Sequence, residues 1–168
     1  MGEFSNVVTY LCQAYDQPDG ISLVVSNEDT WYNMKLSGLP SETDITTIEQ
    51  KGSIGSSLYS GRFLVSQLGV YLFNLGFSFS GSASANYKIR ATLNGTEIEQ
   101  SVCQFTTRGT NVRWEVGMTF LIDIGYNVTS NTSGLYSSDN GIVIQYKNVN
   151  GEGDMTLENG IYNVMKIG

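Results

Sequence analysis

The stretch Val70-Tyr71-Leu72-Phe73-Asn74-Leu75-Gly76-Phe77-Ser78-Phe79-Ser80 decides the fold. Every second residue, Tyr71, Phe73, Leu75, Phe77 and Phe79, belongs to one unbroken apolar row. The alternate row, Val70, Leu72, Asn74, Gly76, Ser78 and Ser80, turns polar along its length. Successive side chains of a strand point to opposite faces, so a period of two specifies a β-strand. A helix would scatter the same aromatics around its circumference. A row this aromatic needs a second layer to cover it. The stretch therefore reads as a central strand of a two-sheet core.

Short strands punctuated by turns surround it. Gln17-Pro18-Asp19-Gly20 is turn chemistry, since proline presets φ and glycine supplies a positive φ. Strands are expected at Ile21 to Ser26 and Thr30 to Leu36, with a weaker one at Ile45 to Gln50, for which a helical turn over Ser41 to Gln50, capped by Ser41, is the alternative. Arg62 to Gln67 leads through Leu68-Gly69 into the central strand. Tyr87 to Leu93, the dipeptide Asn94-Gly95 and Thr96 to Phe105 form a hairpin with a type I′ turn. The register set by that turn places Arg90 opposite Glu99 and Tyr87 opposite Val102. Val112, Trp114 and Val116 alternate as a strand that Gly117 interrupts, and Phe120, Ile122 and Ile124 continue it. A polar stretch, Tyr126 to Asn140, reads as a loop at one tip. Strands at Gly141 to Lys147 and Gly160 to the last residue close the chain. The reading is all-β: about ten antiparallel strands in a jelly-roll β-sandwich over residues 21–168, preceded by an arm over residues 1–20.

Composition narrows the function. The 168 residues carry 19 glycines and 2 prolines, which suits one turn-rich β domain. A net charge of −7 disfavours nucleic acid and anionic membrane surfaces as partners. No run approaches the roughly 20 apolar residues of a membrane span, and the N-terminus lacks the basic start and apolar run of a secretory signal. There is no histidine, so a Ser-His-Asp or Cys-His arrangement within one chain is excluded. Cys12 and Cys103 read as reduced structural thiols, and without histidine they make no zinc site. Glu97, Glu99 and Asp123 are the carboxylates available for glycoside hydrolysis, with solvated surface charge as the simpler reading. Asp139, Glu152 and Asp154 lie in loops that could hold calcium, but without regular ligand spacing. Neither metal nor cofactor is expected, nor catalysis.

The segment from Gly61 to Asn74, followed by Phe77-Ser78-Phe79-Ser80, resembles the signature of tumour-necrosis-factor-like and complement-type globular-head domains: a phenylalanine, then Gly-x-Tyr-x-Phe. Phe63 would open that motif, and Gly69, Tyr71 and Phe73 would form its centre. Gly52 to Gly61 looks like the loop before the signature, and Asn159 to Ile167 like the family's last strand. The resemblance implies a jelly roll that assembles as a compact homotrimer, with an aromatic near Tyr162 toward the three-fold axis. Val70, Leu72, Tyr162 and Val164 are then the expected trimer-interface residues. Similar small trimeric jelly rolls occur in bacteriophage virions. The implied role is a non-enzymatic decoration protein, made in the host cytoplasm and bound to the major capsid protein on the capsid exterior. Phe4, Val7, Val8, Tyr10 and Leu11 of the arm would attach it. The alternative is the receptor- or glycan-binding tip of a head or tail fibre, with Tyr126 and Tyr136 facing a host glycan.

Overall fold

A computed structural model describes residues 9–34, 49–51, 57–59, 62–64, 69–110, 112–124, 142–151 and 153–167. Twelve strands are present among them: β1 (Thr9–Leu23), β2 (Tyr32–Asn33), β3 (Glu49–Lys51), β4 (Ser57–Tyr59), β5 (Arg62–Leu64), β6 (Gly69–Gly81), β7 (Asn86–Leu93), β8 (Thr96–Glu97), β9 (Cys103–Thr106), β10 (Trp114–Ile124), β11 (Ile142–Asn148) and β12 (Met155–Lys166). They form two antiparallel sheets. One runs β10-β6-β12-β1-β3, and the other runs β4-β5-β11-β7-β8, with β2 added to β11 and β9 to β7. Strands neighbouring in space are mostly distant in sequence, as in a jelly roll.

β6 lies between β10 and β12 with long ladders to both. Its aromatic row faces inward: Tyr71, Phe73, Leu75, Phe77 and Phe79 are all buried. Phe73 stacks on Phe120 of β10, ring centroids 5.0 Å apart. Phe79 reaches across the sandwich to Phe105 of β9, which also meets Tyr87 of β7. Ile89, Ala91, Ile142, Ile144 and Tyr146 supply the opposing layer. Glycine at position 69 fits the entry to β6, where φ is +142°.

Three expectations change. The boundary drawn at Gly20 falls inside β1, whose residues from Thr9 to Asp16 pair with β12. Pro18, which cannot donate to a ladder, sits where the pairing shifts between Asp16 and Ile21, so the strand tolerates it. β10 runs unbroken through Gly117, which pairs with Gly76. The third concerns the hairpin. Asn94 and Gly95 adopt φ of +48° and +81°, the type I′ turn, and Leu93 pairs with Thr96 as expected. Continued, that register would set Val102 opposite Tyr87, but Phe105 stands there instead. A 3₁₀ turn at Glu99–Ser101 takes up the difference. Buried Ser101 stands in for the missing ladder: its Oγ accepts the Ala91 N–H at 2.7 Å and donates to the Ile98 carbonyl at 2.6 Å. Arg90 consequently pairs with Glu97, at 2.7 Å, rather than with Glu99.

Two buried phenols tie loops to this core. Tyr146 donates to the Val24 carbonyl at 2.9 Å, and Tyr87 to the Gly153 carbonyl at 3.0 Å. Burial pushes the Tyr146 hydroxyl up to about 12 and raises that of Tyr87 as well. A raised folded-state value means the neutral phenol favours folding below the unfolded value of about 10. That stability is lost as pH rises toward about 12. The urea midpoint is therefore expected to fall between about pH 10 and about pH 12, and to fall less in Tyr146→Phe. A flat midpoint in the native chain across that range would contradict the assignment.

Candidate assembly face

The outward row of β6 sets up the main candidate surface. Leu72 pairs with Leu121 of β10 on one side and Met165 of β12 on the other, so three apolar side chains cross three adjacent strands. Leu121 is 54% exposed, while Leu72 and Met165 are half-buried. Val70 lies at the same end, half-buried, and its carbonyl accepts the N–H of Ile167, itself exposed. A polar row follows, in which Thr119 donates to Asn74. Beyond it, Gly117, Gly76 and Ile161 align across the same three strands. Ile161 is 53% exposed. Added Cβ atoms at Gly117 and Gly76 would meet nothing closer than 4.0 Å, so a shallow hollow lies beside a projecting isoleucine. An outer sheet face with this much apolar surface is the kind that a second protein covers.

The expected interface residues divide by strand parity. Val70 and Leu72 lie on the outward row. Val164 is fully buried opposite Phe73, so it belongs to the core of the single chain, a correction that follows from the alternation of β12. Tyr162 pairs with Leu75 in the ladder between β12 and β6. Leu121, Ile161, Met165 and Ile167 share this outward face and are not among the expected residues. The alternation that turned Phe120 and Ile122 inward also turned Leu121 outward, and that signal was present in the sequence. Of the expected attachment residues, Tyr10 and Leu11 belong to β1, paired with Met165 and Val164. Phe4, Val7 and Val8 lie outside the described residues, as do Tyr126 and Tyr136.

The carboxylates considered for chemistry are spoken for or scattered. A cleft of about 480 Å³ at the hairpin tip is lined by Glu97 of β8 and Asp123 of β10, with Leu93, Ile98 and Leu121 beside them. Glu97 is committed to Arg90, so the two do not form a free acid and base. Glu99 opens the 3₁₀ turn. The Asp154 carboxylate accepts the Val25 N–H at 2.8 Å, while Asp139 and Glu152 lie outside the described residues. No three metal-binding side chains converge among the described residues. Cys103 is half-buried with its thiol raised by burial, and its Sγ contacts the Gly117 carbonyl at 3.5 Å, an environment that keeps it protonated.

No protein-family model matches the chain, and no curated protein matches it. Among solved structures it is similar to the Eiger TNF of S. frugiperda, with a TM-score of 0.50 and 12% sequence identity. That likeness covers 96% of this chain and 92% of the insect protein. At such identity the likeness concerns the fold, and with the two antiparallel sheets it defines the class: a TNF-like jelly-roll β-sandwich.

Proposed function

We propose that this chain is a non-enzymatic assembly protein that forms a homotrimer through the outward face of β10, β6 and β12. The observation that carries the reading is the apolar row Leu121–Leu72–Met165, flanked by exposed Ile161 and Ile167 on the same face. The three-fold state comes from the jelly-roll resemblance of the Gly69-Val70-Tyr71-Leu72-Phe73 segment, and the face comes from the exposure pattern. A stable interface needs roughly 800 Å² per partner. In its finer form, the proposal makes the trimer a decoration of the outer surface of a bacteriophage capsid. Phe4, Val7 and Val8 remain the attachment residues in that form, whereas Tyr10 and Leu11 have their main chain paired in β1.

The hollow at Gly117 offers a test that leaves the fold alone. Gly117→Leu places a side chain where the monomer has open space, and removes a strand glycine, so the monomer keeps or gains stability. In the assembly the same side chain occupies space beside Ile161 that a second copy must use. Sedimentation is expected to show a folded species near the 18.4 kDa chain mass. An undiminished oligomer would rule out this face. The capsid form is tested separately, by co-sedimentation of a chain lacking residues 1–8 with undecorated capsids, where undiminished binding would remove the attachment segment.

A further inference from the structure

The outward face of the other sheet gathers cations that an acidic chain has few of. β7 and β11 pair so that Gln145 stands opposite Arg90 and Lys147 opposite Lys88. Three of the nine Lys and Arg residues of a chain with net charge −7 thus share one small surface. Lys88 and Lys147 are like charges directly opposed, an arrangement that costs stability unless an anion answers it. Among the described residues Asp29 alone answers both: it pairs with Lys147, and the Lys88 charge also helps hold its carboxyl below the usual range. Lys88 forms no ion pair with any described residue. Arg90 donates from Nε to Gln145 at 2.9 Å and from Nη1 to Glu97 at 2.7 Å, which holds the guanidinium in one orientation. Its Nη2 has no described partner. Trp31 lies with its ring 4.0 Å from the Arg90 guanidinium and 4.8 Å from the Lys147 ammonium, and is itself half-exposed. Gln145 donates in turn to exposed Asn33 at 2.9 Å. A ladder of side-chain hydrogen bonds, Asn33–Gln145–Arg90–Glu97, therefore crosses β2, β11, β7 and β8.

We propose that this face binds a sugar bearing a carboxylate. Packing accounts for Trp31 over Arg90, since it fastens the short strand β2 to the sheet. It does not account for two opposed lysines sharing one exposed carboxylate, nor for the donors of Lys88 and Arg90 Nη2 that no described acceptor takes. Three cations against Asp29 and Glu97 leave the patch positive on a negative chain. A carboxylate supplies the missing acceptors and meets the free edge of a pre-oriented guanidinium. The aromatic ring and the amides of Asn33 and Gln145 suit the apolar face and hydroxyls of a pyranose. A polyanionic backbone is disfavoured by the net charge of the whole chain. The site lies on the sheet opposite the proposed assembly face, so trimer formation leaves it open. It does not depend on the trimer reading.

The test titrates the full chain with sialyllactose and with neutral lactose at about 50 mM salt, followed by saturation-transfer NMR and calorimetry. Saturable binding is expected for sialyllactose, at least about tenfold weaker for lactose, and weaker as salt rises. Lys88→Glu, at a half-exposed position with an unaltered fold by circular dichroism, is expected to lower the affinity about tenfold. Failure of both sialyllactose and a glucuronate disaccharide to bind would overturn the proposal, as would equal binding of lactose or an unchanged Lys88→Glu variant. Displacement by inorganic sulfate at equal concentration would overturn the sugar assignment, leaving an unselective anion site.

Discussion

Leu121→Asp is expected to convert the assembly into a folded monomer. In the single chain this side chain is 54% exposed, so replacing it alters stability by roughly 0.5 kcal/mol or less. In the proposed trimer the same carboxylate would be buried at the β10 end of the Leu121–Leu72–Met165 row, with no cation in that row to meet it. An unpaired charge buried in an apolar contact costs several kcal/mol, and in a trimer three copies would suffer it at once. The expected result is complete loss of the oligomer at micromolar concentration, with the far-ultraviolet spectrum and melting transition of a β-sandwich retained. Ile161→Asp should act the same way from the opposite end of the face. An oligomer that survives both substitutions would place the interface elsewhere.

Phe73→Ala is expected to have the largest effect on the fold itself. Phe73 is fully buried, stacks nearly parallel on Phe120, and pairs in register with Phe120 and Val164 on its two neighbouring strands. Truncating a buried phenylalanine costs about 3–5 kcal/mol through lost transfer energy and the cavity left behind. Against a total of about 5–15 kcal/mol, that is enough to bring a domain of this size close to unfolding at ambient temperature. Chemical denaturation checks it. A midpoint within experimental error of the native chain would mean that β6 is not the centre of the core. The two predictions separate cleanly, because Phe73 points inward and Leu72, one residue away, points outward.

That one-residue alternation also explains what was legible in the sequence. The row Tyr71 to Phe79 needed only the period of two, and every member is buried. The type I′ turn at Asn94-Gly95 was readable because few residues adopt positive φ in succession. The register beyond it was not readable. A serine that replaces a ladder bond from its side chain looks in sequence like any other strand serine, so the 3₁₀ turn at Glu99–Ser101 left no periodic trace. The long β1 was hidden for a related reason. Pro18 argued for a turn, and the register shift that accommodates it depends on β12, more than a hundred residues away.

The candidate faces were legible in part. Val70 and Leu72 were visible as the second row of one strand. Their neighbours Leu121 and Met165 became neighbours only through the sheet order, which no single-strand pattern encodes. Val164 shows the converse error, in which a resemblance suggested an interface and strand parity placed the residue in the core. The Trp31–Arg90–Lys147 cluster draws on β7, β11 and the residue just before β2, and only the pairing of β2 and β7 with β11 brings them together.

The most direct measurement is the mass of the unmodified chain in solution, by sedimentation equilibrium across micromolar concentrations. A single species at three times 18.4 kDa is expected. A stable monomer at 18.4 kDa over the whole range would contradict assembly through the outward face of β10, β6 and β12.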